Sequence, residues 1–239
     1  CVTGVQTCAL PISESPAMRD WEWYYLKGMA KSLDLDPCIE TLKLGSRVNS
    51  VGRWSPDGEK LAVTGMGNQV LVIDGQTREI IQMIQRRRVG YCPRIAWSPD
   101  GESIAIDDFL GPVEIYDLNT GMLTQILNHN GGNTNSTLSW NHTLNLIAYR
   151  LDKGKIGIYD MAQKQLVNVF STSSEVRDIE WSPDGSQLAF SVTPGGLHIL
   201  DYPSMEVCYK LSSRHVQRLR WTHDGKQLIC QDVRRSEEH

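Results

Sequence analysis

The chain contains no unbroken apolar run near the ~18–20 residues that a membrane-spanning helix needs, so no transmembrane segment is read from it. It also lacks a surplus of positive charge, with 24 Lys and Arg against 28 Asp and Glu. Nucleic-acid binding calls for a concentrated basic field, so this balance gives no electrostatic case for nucleic acid. No two cysteines are spaced C-x-x-C and none lies near histidines at zinc-finger spacing, which removes the common zinc sites. A disulfide framework is out of place in a chain of this size. G-x-S-x-G, H-E-x-x-H, G-x-G-x-x-G and the phosphate-binding P-loop are missing, as are H-R-D and D-F-G. No catalytic site, cofactor site or metal site is therefore read within the chain.

What is present is a repeat. Arg53-Trp54-Ser55-Pro56-Asp57-Gly58, Ala96-Trp97-Ser98-Pro99-Asp100-Gly101, Ser139-Trp140-Asn141, Glu180-Trp181-Ser182-Pro183-Asp184-Gly185 and Arg220-Trp221-Thr222-His223-Asp224-Gly225 follow one template, with Trp-to-Trp steps of 43, 43, 41 and 40 residues. A period in this range implies one four-stranded sheet per repeat, arranged radially in an all-β propeller. Hydrophobic residues at 40% suit a globular chain with buried cores.

Each repeat parses into strands from its Trp. An alternating run such as Val176-Arg177-Asp178-Ile179 precedes it and reads as the innermost strand. Leu61-Ala62-Val63, Ile104-Ala105-Ile106, Ile147-Ala148-Tyr149, Leu188-Ala189-Phe190 and Leu228-Ile229-Cys230 follow it, short and apolar as a strand buried on both faces requires. Between the two, Ser-Pro-Asp-Gly supplies turn chemistry: Pro presets φ, Asp bonds to local backbone, and Gly takes the left-handed conformation. These hairpins read as turns, not sites. Asn141-His142-Thr143-Leu144 and the turn with His223 in place of Pro are expected to be looser.

Third strands end on Asp74, Asp117, Asp160 and Asp201, and fourth strands cover residues 79–84, 123–127, 166–170 and 207–211. Four complete blades and an incomplete fifth are expected over residues 38–234, with 38–44 as one further outermost strand. Cys38, Cys92, Cys208 and Cys230 fall in or beside strands and are expected to be buried thiols.

Apolar-x-apolar-(Tyr/Leu/Ile)-Asp closing the third strand, after (Phe/Trp)-Ser-Pro-Asp-Gly-x-x-Leu-Ala, resembles the WD-repeat family. The Trp of the Trp-Asp signature is replaced by Ile73, Tyr116, Tyr159 and Leu200. The Gly-His pair is absent, with His129 and His215 as loose stand-ins, so the buried tetrad of that family is expected to be incomplete. The TolB-like propeller is the nearest competitor, since it also favours Trp-Ser-Pro-Asp-Gly.

Upstream, Arg19 to Met29 contains Trp21-Glu22-Trp23-Tyr24-Tyr25-Leu26. It resembles the Trp-Glu-Trp-x-Tyr-Leu helix preceding WD repeats in bacterial proteins, many of them serine/threonine kinases. Trp21, Tyr24, Tyr25, Gly28 and Met29 recur at helical spacing, an amphipathic packing face. Residues 14–37 are read as this short helix and a linker. Val2 to Ile12 and Arg235 to His239 resemble translations of the two senses of one sequencing adaptor, so residues 1–13 and 235–239 are set aside as artefact.

The functional expectation is a non-catalytic interaction scaffold, the propeller module of a larger bacterial signalling protein such as a serine/threonine kinase. A hydrolase-associated propeller and a TolB-like periplasmic propeller are the alternatives. Arg86, Arg87 and Arg88 lie between a fourth strand and the next first strand, around the channel mouth. Arg47, His129, Arg214 and His215 occupy equivalent connections. Because arginine pairs bidentately with phosphate, this rim is a candidate docking surface for an acidic or phosphorylated peptide. Solvated loop charges are the plainer alternative.

Overall fold

The computed structural model describes residues 52–64, 68–87, 94–107, 111–128, 137–212 and 216–232. The expected helix within 14–37 and the strand at 38–44 lie outside them.

Blade 1 consists of β1 (Arg53–Trp54), β2 (Lys60–Thr64), β3 (Gln69–Asp74) and β4 (Ile80–Gln85). Blade 2 follows with β5 (Arg94–Trp97), β6 (Ser103–Asp107), β7 (Val113–Asp117) and β8 (Leu123–Leu127). Blade 3 has β9 (Leu138–Asn141), β10 (Leu146–Asp152), β11 (Lys155–Asp160) and β12 (Gln165–Ser171). Blade 4 has β13 (Glu175–Trp181), β14 (Gln187–Thr193), β15 (Gly196–Asp201) and β16 (Glu206–Leu211). A fifth sheet holds β17 (Val216–Trp221) and β18 (Leu228–Asp232). Every sheet is an antiparallel meander in chain order, and below its strands are called a to d from first to fourth.

The core is a set of layers between blades. Ala62, Val70, Val72 and Ile84 of blade 1 meet Ile95, Trp97, Ile104, Ile106 and Tyr116 of blade 2. The other face of blade 2, with Ala105, Val113, Ile115 and Leu127, meets Leu138, Trp140, Ile147 and Tyr149 of blade 3. Blades 3 and 4 share the largest layer, around Ile156, Ile158, Phe190 and Leu200, and Ala189 and Leu197 pack on Val216 and Leu219 of the fifth. Alternation along a strand explains this division. Ile104 and Ile106 face one neighbour and Ala105 the other, so strand b must be apolar throughout.

The Ser-Pro-Asp-Gly hairpins have one bond set. Ser55 Oγ donates to Asp57 at 2.5 Å and accepts from Lys60 N at 2.9 Å, while Gly58 N donates to Ser55 O. Ser98 and Ser182 repeat it. The two turns expected to be looser are closed as well. Thr222 Oγ1 replaces serine, donating to Asp224 and accepting from Gln227 N. In blade 3 the fully buried Asn141 accepts from Thr143 N and Leu144 N at 2.9 Å and donates to Gly185 O of blade 4 at 3.0 Å. An asparagine side chain supplies locally what Pro and Gly supply elsewhere.

That contact makes Gly185 special. At φ 75° it is left-handed, and a Cβ there would sit 2.5 Å from Asn141 Oδ1, whereas at Gly225 (φ 67°) the nearest atom is 3.7 Å away. Gly225→Ala should cost about 1 kcal/mol from the backbone alone, and Gly185→Ala about 2–3 kcal/mol because the clash adds to it. Equal midpoints in urea for the two variants would contradict this ranking.

One feature recurs that the sequence does not announce. In all four complete blades the c–d ladder slips by one residue at the same place, leaving Ile81, Thr124, Val167 and Cys208 as the extra residue of strand d. Such a bulge bends and twists the outer strand. Thr124 Oγ1 and Cys208 Sγ both donate to a strand-c carbonyl, of Ile115 and Ile199. Cys208 is exposed, against the expectation of burial, because it lies on the outer strand d of blade 4 with one face open, and Cys230, on strand b of the fifth sheet, is only partly buried against Val216 and Leu219. Cys38 and Cys92 fall outside the described residues.

Candidate functional site

Strand a runs toward the a–b turn, so the a–b and c–d turns share one end of the propeller and the b–c and d–a connections the other. At the a–b end the first strands converge on a cavity of about 230 Å3. Trp54, Trp97, Trp140, Trp181 and Trp221 line it, one per blade, together with the polar groups Arg53, His142, Glu180, Arg220 and His223. The indoles also tie blades together. Trp97 Nε1 donates to Arg53 O at 2.9 Å, and Trp221 Nε1 to Glu180 O at 3.3 Å. Trp140 turns its N–H back to Asn145 Oδ1 in its own hairpin, at 2.9 Å. Trp181 packs edge-on against Tyr202, ring centroids 5.4 Å apart, and among the described residues its buried indole N–H has no acceptor. Glu180 and Arg220 form an ion pair at 2.9 Å on the same wall.

Sequence reasoning took these hairpins for turns alone. The available signal was the Trp itself: one aromatic at the same strand end in five radial units must form a ring.

The turns at this end carry several ionised carboxylates. Asp184 lies below the usual carboxylate range because Ser182 and Ser186 donate to it. Burial opposes ionisation of Asp57, but bonds from Ser55 and Glu59 N–H, with Lys60 nearby, still hold it low. Asp74, closing β3, accepts from the Thr77 and Gln76 amides, which lowers it too.

At the opposite end only Arg86 and Arg87 of the expected basic rim fall within the described residues; Arg47, Arg88, His129, Arg214 and His215 do not. Arg87 is exposed. Arg86 is 4% exposed, so its guanidinium does not belong to the solvent rim. Its backbone exchanges bonds with Asn68, whose Nδ2 donates to Arg86 O at 2.9 Å. Beyond it Tyr116 Oη donates to the buried Glu114 at 2.8 Å. Burial and Glu114 push the Tyr116 hydroxyl pKa up, and the Arg86 charge works against them.

Deeper at this end one carboxylate joins three other blades. Asp178, 1% exposed, pairs with Arg94 of blade 2 at 3.0 Å and accepts from Leu219 N of the fifth sheet at 2.9 Å. Thr137 of blade 3 donates its hydroxyl to it at 3.5 Å and its amide to Asp107 of blade 2 at 2.6 Å. Arg94, Thr137 and Asp178 each stand three residues before their Trp, a register in which radial units place equivalent residues side by side.

Among the described residues no group of three or more His, Cys, Asp or Glu is placed to hold a metal ion, and no helix is long and apolar enough to cross a membrane.

Radial four-stranded meanders with inter-blade cores define a β-propeller. The family model for the anaphase-promoting complex subunit 4 WD40 domain matches residues 138–224. Among solved structures, the β-propeller domain of Cps50 (Swd1) from Myceliophteria thermophila is similar at 18% identity and TM-score 0.67, covering 81% of this chain and 64% of that one. Hydrazine synthase from Kuenenia stuttgartiensis is similar at 20% identity and TM-score 0.64, covering 80% of this chain and 57% of that one. The chain thus spans less than two thirds of either. No curated protein matches it in sequence. The chain has the β-propeller fold, and its residues 138–224 match a WD40-domain model. Such propellers mostly bind, and the fold by itself names no partner.

Proposed function

We propose that this propeller is a non-catalytic protein-interaction scaffold, the docking module of a larger bacterial signalling protein such as a serine/threonine kinase. The observation that carries the scaffold reading is the chain of inter-blade cores, which makes the blades a rigid frame with loops projecting at both ends. Specificity then belongs to the loops. The kinase context is supported by the Trp21-Glu22-Trp23 segment alone.

On the d–a end, Arg87, with Arg47, Arg88, His129, Arg214 and His215 in the equivalent connections of the sequence, forms the surface for an acidic or phosphorylated peptide. Phosphoserine and phosphothreonine peptides on an array should bind the full chain, and Arg87→Glu should remove most of that binding. Retention of binding by that variant rejects this surface. For the context, the native gene upstream should encode H-R-D and D-F-G segments. A signal peptide upstream, or a G-x-S-x-G downstream, excludes the kinase and moves the chain to a periplasmic propeller or a peptidase.

A further inference from the structure

The two ends of the propeller carry opposite charge. The a–b turns hold Asp57, Glu59, Asp100, Glu102, Asp184 and Asp224, with Lys226 as the one cation among the described turn residues. At the same end the c–d turns start on Asp74, Asp117, Asp160 and Asp201 and add Glu79, against Arg78 and Lys164. At the other end the described residues carry Arg87, Lys153 and Lys155, with Asp152 and Glu175 beside them, Arg86 being buried. Two pairs of neighbouring a–b turns touch: Lys60 Nζ, beside Asp57 and Asp100, donates to Gly101 O at 3.3 Å, and Asn141 Nδ2 to Gly185 O at 3.0 Å, while the blade 3 turn itself carries no carboxylate.

The Trp-walled cavity lies at the centre of this anionic end. At about 230 Å3 it is smaller than the ~300 Å3 at which small-molecule sites begin, and it suits one large side chain. That side chain is not a cation. Arg53, His142 and His223 already stand on the wall, and Glu180 is taken by Arg220. Five tryptophans on the wall favour an apolar or aromatic group. The carboxylates of the turns at this end repel nucleic acid and anionic lipid and attract lysine and arginine.

We propose that the a–b end of the propeller docks a polypeptide segment rich in Lys and Arg that carries one large apolar side chain, with the apolar group in the Trp-walled cavity and the flanking cations over the carboxylates of the turns. This surface is separate from the Arg87 end, so it stands or falls independently of the reading above.

Fluorescein-labelled Lys-Lys-Gly-Phe-Gly-Lys-Lys, its Phe→Ala form and its all-Glu counterpart, titrated with the full chain and followed by anisotropy, test it. The lysine peptide should bind, weaken as salt is raised, and lose about tenfold in affinity with the Phe→Ala peptide, as removal of a central anchor does. Glu59→Lys combined with Glu102→Lys should weaken it by about tenfold or more through the charge of the turns. Both are exposed turn residues, and circular dichroism verifies that the variant folds. The all-Glu peptide should not bind. Equal binding of the all-Glu peptide, or an affinity unmoved by the charge reversal, overturns the proposal. Indifference to Phe→Ala overturns the cavity as its anchor.

Discussion

Asp178→Ala is expected to be among the most damaging single substitutions in this chain. The carboxylate is 1% exposed and faces Arg94 at 3.0 Å and the Leu219 amide at 2.9 Å. Truncation strands a largely buried guanidinium and a buried N–H at once. Breaking a buried pair from one side costs about 3–5 kcal/mol, because the remaining charge is left uncompensated. Against a typical total stability of about 5–15 kcal/mol, that is enough to unfold a large fraction of molecules. Asp178→Asn keeps an acceptor for Leu219 N and loses only the ionic partner, so it should fall between parent and alanine. The measurement is urea denaturation followed by tryptophan emission. An alanine variant within about 1 kcal/mol of the parent, a normal surface effect, means that the carboxylate does not hold the blades together.

Trp97→Ala should be comparably severe, for a different reason. Trp97 is 2% exposed, fills the layer between blades 1 and 2, and donates to Arg53 O across it. Truncating a buried tryptophan costs about 3–5 kcal/mol through lost transfer energy and the cavity left behind. The loss should be local in its first consequence, since blade 1 reaches blade 2 through this layer. Hydrogen exchange should show Ala62 and Val72 amides losing protection before those of Ala148 and Phe190. Trp221, half-buried on the two-stranded fifth sheet, should tolerate alanine better. A uniform loss of protection across all blades in Trp97→Ala speaks for one cooperative unit and against blade-by-blade coupling.

Much of the candidate surface was legible only in outline. The connections following strand d could be placed at one end of the channel from strand order alone, and Arg87 does sit exposed there. Arg86 could not be separated from it by sequence. Both precede a first strand and both carry a guanidinium, and only the packing of blade 2 against blade 1 buries one beside Tyr116 and Glu114. The cavity at the opposite end passed for hairpin chemistry, because each Trp-Ser-Pro-Asp-Gly is complete as a local turn.

The amino-acid sequence by itself determined the period, the four-stranded unit, the positions of strands c and d within a residue or two, the centre of strand b, and the Ser-Pro-Asp-Gly turns. All of these rest on interactions between residues close along the chain: alternation across a pleat, a proline φ, an aspartate bonding two residues onward. It did not determine which residues meet between units separated by about forty positions. The Asp178 network, the indole links from Trp97 and Trp221, the burial of Arg86 and the exposure of Cys208 at a repeated bulge depend on how far each blade rotates against the next. That rotation is set by the shapes of the apolar layers between blades, a property of the assembled packing that no single repeat contains.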